Sequence, residues 1–431
     1  MSGHKLSRRR ALQLGSLAAT TAVAGCSLPA GGATGTPDSA RYLSFEDGVD
    51  SALKERTENV YDRTVGLVDR EIRDETTVRV ISAAEMRETT GNWSMFGVTT
   101  TQQLAHRALG LIDEFDPDLP FEYAGAYSPG ERILTLVEFP DRPIDDQLIA
   151  HELGHAIQFQ ASGITDVERG WETGFDHHHA QQGIVEGTAQ FIEDEYVGGC
   201  DGEFSDCRLK EPIPAGTAGW DREWLLAFGA YVNGHEFAAA LADRSGWDGV
   251  WDAHAAPPTH TGQVLKPEWY PDRQPEDVSV AAGSSDEWTE LGRERLGMQS
   301  AFVTLWLEGA LEPHAVYHDE EADADEVFSS LVRYRSPETD AWRGDEFVAF
   351  ERREDEYGWV WKLRWESSTA AEGAYELFRT WADERGEPTD VEDVWSTGRG
   401  YETLALDGDE LFVGSAPEAG EFESLSEALV E

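Results

Sequence analysis

Lysine is scarce in this chain. Only five of its 34 basic residues are Lys, against 84 Asp and Glu, for a formal net charge of −50. A surface this acidic repels nucleic acid and excludes DNA or RNA as a partner class. Cysteine is nearly absent too. Besides Cys26 there are only Cys200 and Cys207, two thiols without the local partners that a Cys-based zinc site needs. Beyond the first 26 residues no stretch is long and apolar enough to cross a bilayer. Internal repeats and low-complexity tracts are missing as well. What is present argues for folded domains rather than acidic disorder: 40% apolar residues, 15 Trp and regular periodic segments. The 431 residues leave room for one large domain or, more comfortably, two.

The amino terminus reads as an address rather than as part of the fold. Ser7-Arg8-Arg9-Arg10-Ala11-Leu12 resembles a twin-arginine export signal, followed by a mildly apolar run from Ala11 to Ala24. Val23-Ala24-Gly25-Cys26 resembles a lipobox, which makes Cys26 the expected lipidated residue after cleavage; the alternative is a plain signal cut near an A-x-A site. Residues 1–26 are thus the signal, and residues 27–41 a small, polar, Gly- and Pro-bearing tether. The expected location is the outer face of the cell membrane, reached through a lipid anchor only. In that setting Cys200 and Cys207, in a Gly- and Asp-rich loop, read as a disulfide. The acidic, Lys-poor composition resembles that of proteins from extreme halophiles, the haloarchaea, whose multimolar salt screens such charge.

The chemistry centres on Ile149-Ala150-His151-Glu152-Leu153-Gly154-His155. On a helix His151 and His155 lie one turn apart on one face, so both imidazoles can reach one ion. Glu152 points toward the same pocket without being a ligand. It can take a proton from a water held by the metal. Leu148, Ile149, Leu153 and Ile157 supply an apolar helical face, Asp145 and Asp146 suit the positive end of the helix, and Gly154 lets another backbone come close.

A third ligand must come from elsewhere. The metzincin extension needs Gly at 158 and His at 161, but the chain has Gln158 and Ala161, which excludes that class. Asp176 is a fair N-cap for a second helix containing Ile184-Val185-Glu186-Gly187-Thr188-Ala189-Gln190-Phe191-Ile192-Glu193. Glu186 stands among apolar residues, where an unpaired carboxylate is costly and a cation removes the cost. Gly187 and Ala189 are small enough for close packing on the first helix. His177, His178 and His179 are the rival ligands. His179 precedes Glu186 by two helical turns, roughly 10 Å, so the two cannot share one ion. The His run then reads as a solvated helix start, or a rim meeting substrate or a second ion. Gln190, one turn after Glu186, could hydrogen-bond a ligand histidine.

With His151, Glu152, His155 and Glu186 together, residues 130–200 resemble the gluzincin class of zinc metallopeptidases, more weakly so to about residue 270. The resemblance implies a Zn²⁺ cofactor, a peptide or protein substrate, and a zincin-like domain with a mixed sheet and active-site helices. It also implies an edge strand beside the metal helix that pairs with extended substrate. The segments Tyr231–Phe237 and Pro257–Leu265 resemble stretches in other microbial H-E-x-x-H proteins, which often carry an acidic residue where this chain has Thr188. Tyr231, His235 and His260 are candidate donors to the oxyanion, with Tyr231 and His260 ranked first. Their plainer readings are helix core for Tyr231 and a loop histidine after two prolines for His260.

Periodicity outlines the rest. Residues 45–74 and 100–115 are expected as helices, 77–81 as a strand, and 122–137 as a hairpin turning at Ser128-Pro129-Gly130. Residues 271–285 read as a linker or exposed loop, and Trp288 to Leu311 as a long helix. Asp319 to Glu326 is an acidic turn or helix start. Strands are expected at 347–350 and 359–365, a helix at 370–384 and a hairpin at 404–413. Trp359, Trp361, Leu363 and Trp365 share one strand face, read as core ahead of a sugar- or peptide-binding platform. The fold expected is α+β, with a zincin-like metallopeptidase domain over 42–284 and a smaller α+β domain with an antiparallel sheet over 285–431. The function expected is a membrane-anchored extracellular zinc metallopeptidase using Glu152 as general base. The alternative is a non-catalytic zincin scaffold that binds or organises cell-surface components.

Overall fold

The computed structural model describes residues 42–89, 96–115, 122–162, 164, 166–200, 202–209, 222–281, 287–311, 334–353 and 355–426. The signal, Cys26, the tether and the acidic run 319–326 lie outside these residues. The first half builds a small sheet from β1 (Leu43–Phe45), β2 (Thr76–Ser82), β3 (Gly125–Ser128) and β4 (Ile133–Glu138). Their order is β1-β2-β4-β3, with β1, β2 and β4 parallel and β3 antiparallel at the edge. The helices of this half are α1 (Ser51–Val68), α2 (Ala83–Thr89), α3 (Thr100–Ala108), α4 (Asp146–Ala161), α5 (Phe175–Cys200), α6 (Leu225–Ala255) and α7 (Thr261–Leu265). Alternating residues of β2 and β4 explain the layer beneath the sheet. Val78, Leu134 and Leu136 point down onto Val60 and Val65 of α1 and Ile149, Leu153 and Ile157 of α4.

The helix starts are made by side chains. Asp50 accepts from the amides of Ala52 and Leu53 at the head of α1, and Asp145 accepts from Leu148 at the head of α4. Thr99 and Gln102 form a capping box on α3. Each such cap stabilises by about 1 kcal/mol. Helices α4, α5 and α6 touch through small residues. A Cβ added to Gly154 would meet Ala189 Cα at 3.5 Å, so α4 and α5 lie nearly backbone to backbone. Gly187 faces the other way, and a Cβ there would fall 2.0 Å from the Gly234 carbonyl carbon of α6. Of the two small residues expected to seat α5 on α4, Ala189 therefore does so while Gly187 serves α6. Cys200 is disulfide-bonded to Cys207. The loop they close is held to α4 by mutual bonds between Asp146 and Arg208, 2.8 Å from the Asp146 amide and 2.9 Å to its carboxylate.

The second half is a seven-stranded antiparallel sheet in the order β5-β6-β7-β11-β10-β9-β8. Its elements are β5 (Thr289–Glu294), α8 (Gly297–Leu307), β6 (Trp342–Arg353), β7 (Glu356–Trp365), α9 (Ser368–Arg385), β8 (Glu387–Pro388), β9 (Val394–Thr397), β10 (Gly400–Asp407), β11 (Glu410–Ala416) and α10 (Phe422–Leu425). The molecule is thus α+β, with one mixed sheet and a separate antiparallel sheet. The Trp359–Trp365 stripe is core: Trp361 and Trp365 are buried beneath Phe378 and Trp381 of α9. That apolar cluster also takes in Leu104 of α3, Leu225 and Val232 of α6 and Leu265 of α7, so it runs across both halves. The expected boundary at 284/285 falls among residues 282–286, outside the described ones.

One expected helix is two elements. Residues 288–311 contain β5, then a break at Leu296, then α8. Gly297 has φ +86°, a conformation that interrupts a helix, and Asp345 of β6 accepts from the amides of Leu296 and Gly297 at 2.8 and 3.0 Å. The carboxylate thus satisfies the amide end of α8 from another element, while β5 pairs along β6. Backbone pairing with a distant strand outweighs the helix propensity of Glu, Leu and Arg there.

Candidate metal centre

Helix α4 carries His151, Glu152 and His155, all less than 9% exposed, and α5 carries Glu186 beside them. The Nε2 atoms of His151 and His155 face each other at 3.2 Å. Glu186 Oε2 lies 3.6 Å from the first and 3.4 Å from the second. These three atoms form a triangle whose sides match the edges of a tetrahedron, about 3.3–3.4 Å for bonds of ~2.0–2.1 Å to a central ion. The residues present therefore fit a single cation of zinc's size and ligand preference, and this trio could hold one.

The other ring nitrogens are held from outside. His155 Nδ1 lies 3.1 Å from Gln158 Oε1, and Gln158 in turn donates to the Val185 carbonyl of α5 at 2.9 Å. His151 Nδ1 lies 3.5 Å from Glu193 Oε2, while Gln147 donates to the other oxygen of Glu193 at 3.3 Å. In a neutral ring, the form that binds a cation, each contact would place the proton on Nδ1 and an Nε2 lone pair toward the site. Gln190, expected in this role, instead donates to Asp194 at 3.2 Å. The reason is angular: one turn from Glu186 it has rotated toward α6, whereas Glu193, two turns on, returns to the α4 face. The available signals are the spacing of seven from Glu186 to Glu193 and of three from His155 to Gln158. Thr188 is fully buried with its hydroxyl unpartnered, so Glu193 is the carboxylate this site uses.

Charge follows from these contacts. Burial alone would lower the His151 pKa, but Glu186 and Glu193 outweigh it and raise it to about 10. For Glu186 burial works upward, and His155 and His151 overcome it and hold the carboxylate far below its usual range. Glu152 is pushed up by burial, partly offset by the two histidines. Its Oε2 has no hydrogen-bond partner among the described residues. Tyr231 of α6 lies over the His151 ring, centroids 6.1 Å apart and planes 16° from parallel. Its hydroxyl interacts with Glu186, and burial together with that carboxylate raises its pKa.

Other expected site residues lie apart. His260 is fully buried, its Nε2 2.9 Å from the Arg273 carbonyl and its ring between Trp269 and Trp342. None of those partners belongs to the metal group, so His260 is packed as core rather than aimed at an oxyanion. His235 pairs with Asp194 at 3.0 Å and packs on Phe191. The three-histidine run is not a solvated helix start. His178 stacks on Trp171 at 4.0 Å, and His179 is buried against Trp171 and Phe175. Burial lowers the His178 pKa to about 4. Asp176 is no cap either: its Oδ1 accepts from the amide and hydroxyl of Thr261 at 2.9 and 2.6 Å, tying α5 to α7.

Residues 287–426 match a family described as a domain of unknown function, DUF8575. That span covers the second sheet and leaves the metal group outside it. No curated protein and no solved structure matches the chain.

Proposed function

We propose that this protein is a zinc-dependent metallopeptidase of the gluzincin type, with a zincin-like catalytic half formed by the first sheet and α4, α5 and α6. One observation carries the reading: two imidazoles and a carboxylate converge in tetrahedral proportion, with an unengaged carboxylate, Glu152, buried beside them beneath the sheet's edge strand. A purely structural metal needs no acid there. His151, His155 and Glu186 would hold Zn²⁺, which when bound would bring a coordinated water toward a pKa of ~7 and polarise a peptide carbonyl. Glu152 would accept a proton at Oε2 and return it to the departing amine. The Tyr231 hydroxyl would donate to the carbonyl oxygen as negative charge develops, a contribution of a few kcal/mol. Strand β3 would take extended substrate on its free edge.

The amino-terminal motifs extend the proposal to an exported enzyme, lipid-anchored at Cys26 on the outer membrane face and adapted to high salt. The test is zinc analysis with a peptide-hydrolysis assay in multimolar salt, comparing wild type with Glu152→Gln. Stoichiometric zinc in both and hydrolysis only in wild type is the expected result. Zinc without hydrolysis in either would favour the scaffold reading, and equal hydrolysis in both would place the base elsewhere.

A further inference from the structure

Strand β3 has a register that can be read at the level of single peptide groups. The Val137 amide donates to the Ala124 carbonyl at 2.8 Å, and the ladder continues with Gly125 opposite Leu136, Ala126 opposite Thr135 and Tyr127 opposite Leu134. In an antiparallel pair the bonded positions alternate, so Ala124, Ala126 and Ser128 spend their peptide groups on β4. Gly125 and Tyr127 turn their N–H and C=O outward, on the side where the sheet ends. Among the described residues those outward groups make no hydrogen bond.

The side-chain direction of Gly125 is equally defined. A Cβ there would stand 2.6 Å from Glu152 Oε1, 2.7 Å from its Cγ and 2.8 Å from its Cδ. All three atoms belong to one flexible side chain, and no backbone lies as close. An added methyl would therefore push the Glu152 side chain aside rather than displace backbone. No hydrogen bond among the described residues holds Glu152 Oε2.

We propose, on the peptidase reading, that Gly125 is the positioning residue of this centre. Its missing side chain is the space in which Glu152 lies, and its outward N–H and C=O anchor the main chain of an extended polypeptide beside that carboxylate. The substrate residue paired with Gly125 is then the one next to the bond that is cut, and the next outward pair lies two residues along, at Tyr127. Displacing a reacting group by about 1 Å costs on the order of 100-fold in rate.

The test uses the full chain in high salt. Gly125→Ala should bind zinc and melt like wild type, keep KM within about twofold, and lose kcat on the order of 100-fold. Asp is one methylene shorter than Glu, so adding Gly125→Ala to Glu152→Asp should cost less than about tenfold, a non-additivity expected of touching side chains. A readout free of turnover is the visible absorption of the cobalt(II)-loaded protein, in which Gly125→Ala should shift the bands as Glu152→Gln does. Full-rate hydrolysis by Gly125→Ala would overturn the role of Gly125 while leaving the peptidase reading standing. A wild type that holds metal but cuts no peptide would remove that reading. The cobalt spectra would then decide alone, with bands unchanged in Gly125→Ala overturning the proposal and bands shifted as in Glu152→Gln sustaining the displacement.

Discussion

Replacing Glu193 by Gln separates two accounts of how the histidines of the candidate metal centre are oriented. The carboxylate is 5% exposed and lies 3.5 Å from His151 Nδ1, so little water screens it, but the contact is long for a hydrogen bond. Outer partners of this kind change metal affinity by about 10–100-fold. The length of the contact favours the lower part of that range, about tenfold to thirtyfold, or roughly 1.4–2 kcal/mol. Gln keeps the shape and the bond from Gln147, so the loss isolates the charge facing the imidazole. The measurement is zinc affinity by competition with a chelator of known strength, at one pH and one salt concentration. Gln190→Ala is the matched comparison. Gln190 bonds Asp194 rather than a ligand, and its removal should leave affinity within about twofold of wild type. Unchanged affinity in Glu193→Gln, or a larger loss in Gln190→Ala, would refute this account of the site.

Three further outcomes test other parts of the structure. Gly187→Ala forces a Cβ to within 2.0 Å of Gly234 backbone, so α5 and α6 must part; a loss of about 1–3 kcal/mol or more is expected. Gly198→Ala on the same helix, with nothing within 4 Å, should be neutral or stabilising by up to about 1 kcal/mol, and equal melting midpoints for the two variants would contradict the close crossing. Burial raises the pKa of Asp176 and of Asp345 from 3.8 to about 6, the second helped by the first. Folded protein therefore holds protons that the unfolded chain releases, and this contribution is complete below pH ~4 and lost as pH rises through 6. Asp176→Asn should gain on wild type by about 2 kcal/mol between pH 4.5 and 7.5, and a difference in melting midpoint that is flat with pH would sink the argument. Finally, a net charge of −50 predicts a melting midpoint that falls as multimolar salt is diluted; equal midpoints in high and low salt would exclude salt adaptation.

The features readable in advance were those carried by local period and by the chemistry of single residues. His151, His155 and Glu186 meet because helical spacing puts them on facing sides of α4 and α5, and an isolated carboxylate among Ile184, Val185 and Ile192 needs a cation or a partner. The β3–β4 hairpin, helix α9 and the β10–β11 hairpin also follow from alternation and turn residues. The errors occur where a distant partner decides. β5 is a strand because β6 is beside it, and Asp176 points at Thr261 rather than at its own helix start. The His177–His179 run is polar in composition, yet Trp171 and Phe175 cover two of its rings. Gln190 against Glu193 is a question of helical angle relative to α4, which spacing within α5 alone does not answer.

The site also depends on side chains that are missing. Four positions without bulk bring its parts together: Gly154 admits Ala189, Gly187 and Gly234 admit each other, and Gly125 admits Glu152. Bulk at Gly187 or Gly234 would separate backbones and so move Glu186 or Tyr231, whereas a Cβ at Gly154 would press only on the tip of Ile192 at 3.1 Å. Bulk at Gly125 would meet one side chain, Glu152 from Cγ to Oε1, before any backbone. On the proposed reading, stability and chemistry would thus rest on different glycines. A substitution scan should divide them, with loss of melting midpoint at Gly187 and Gly234 and, on the peptidase reading, loss of turnover at Gly125. On the peptidase reading the motif would supply the groups that react, and these vacant positions would determine whether the groups stand close enough to act together.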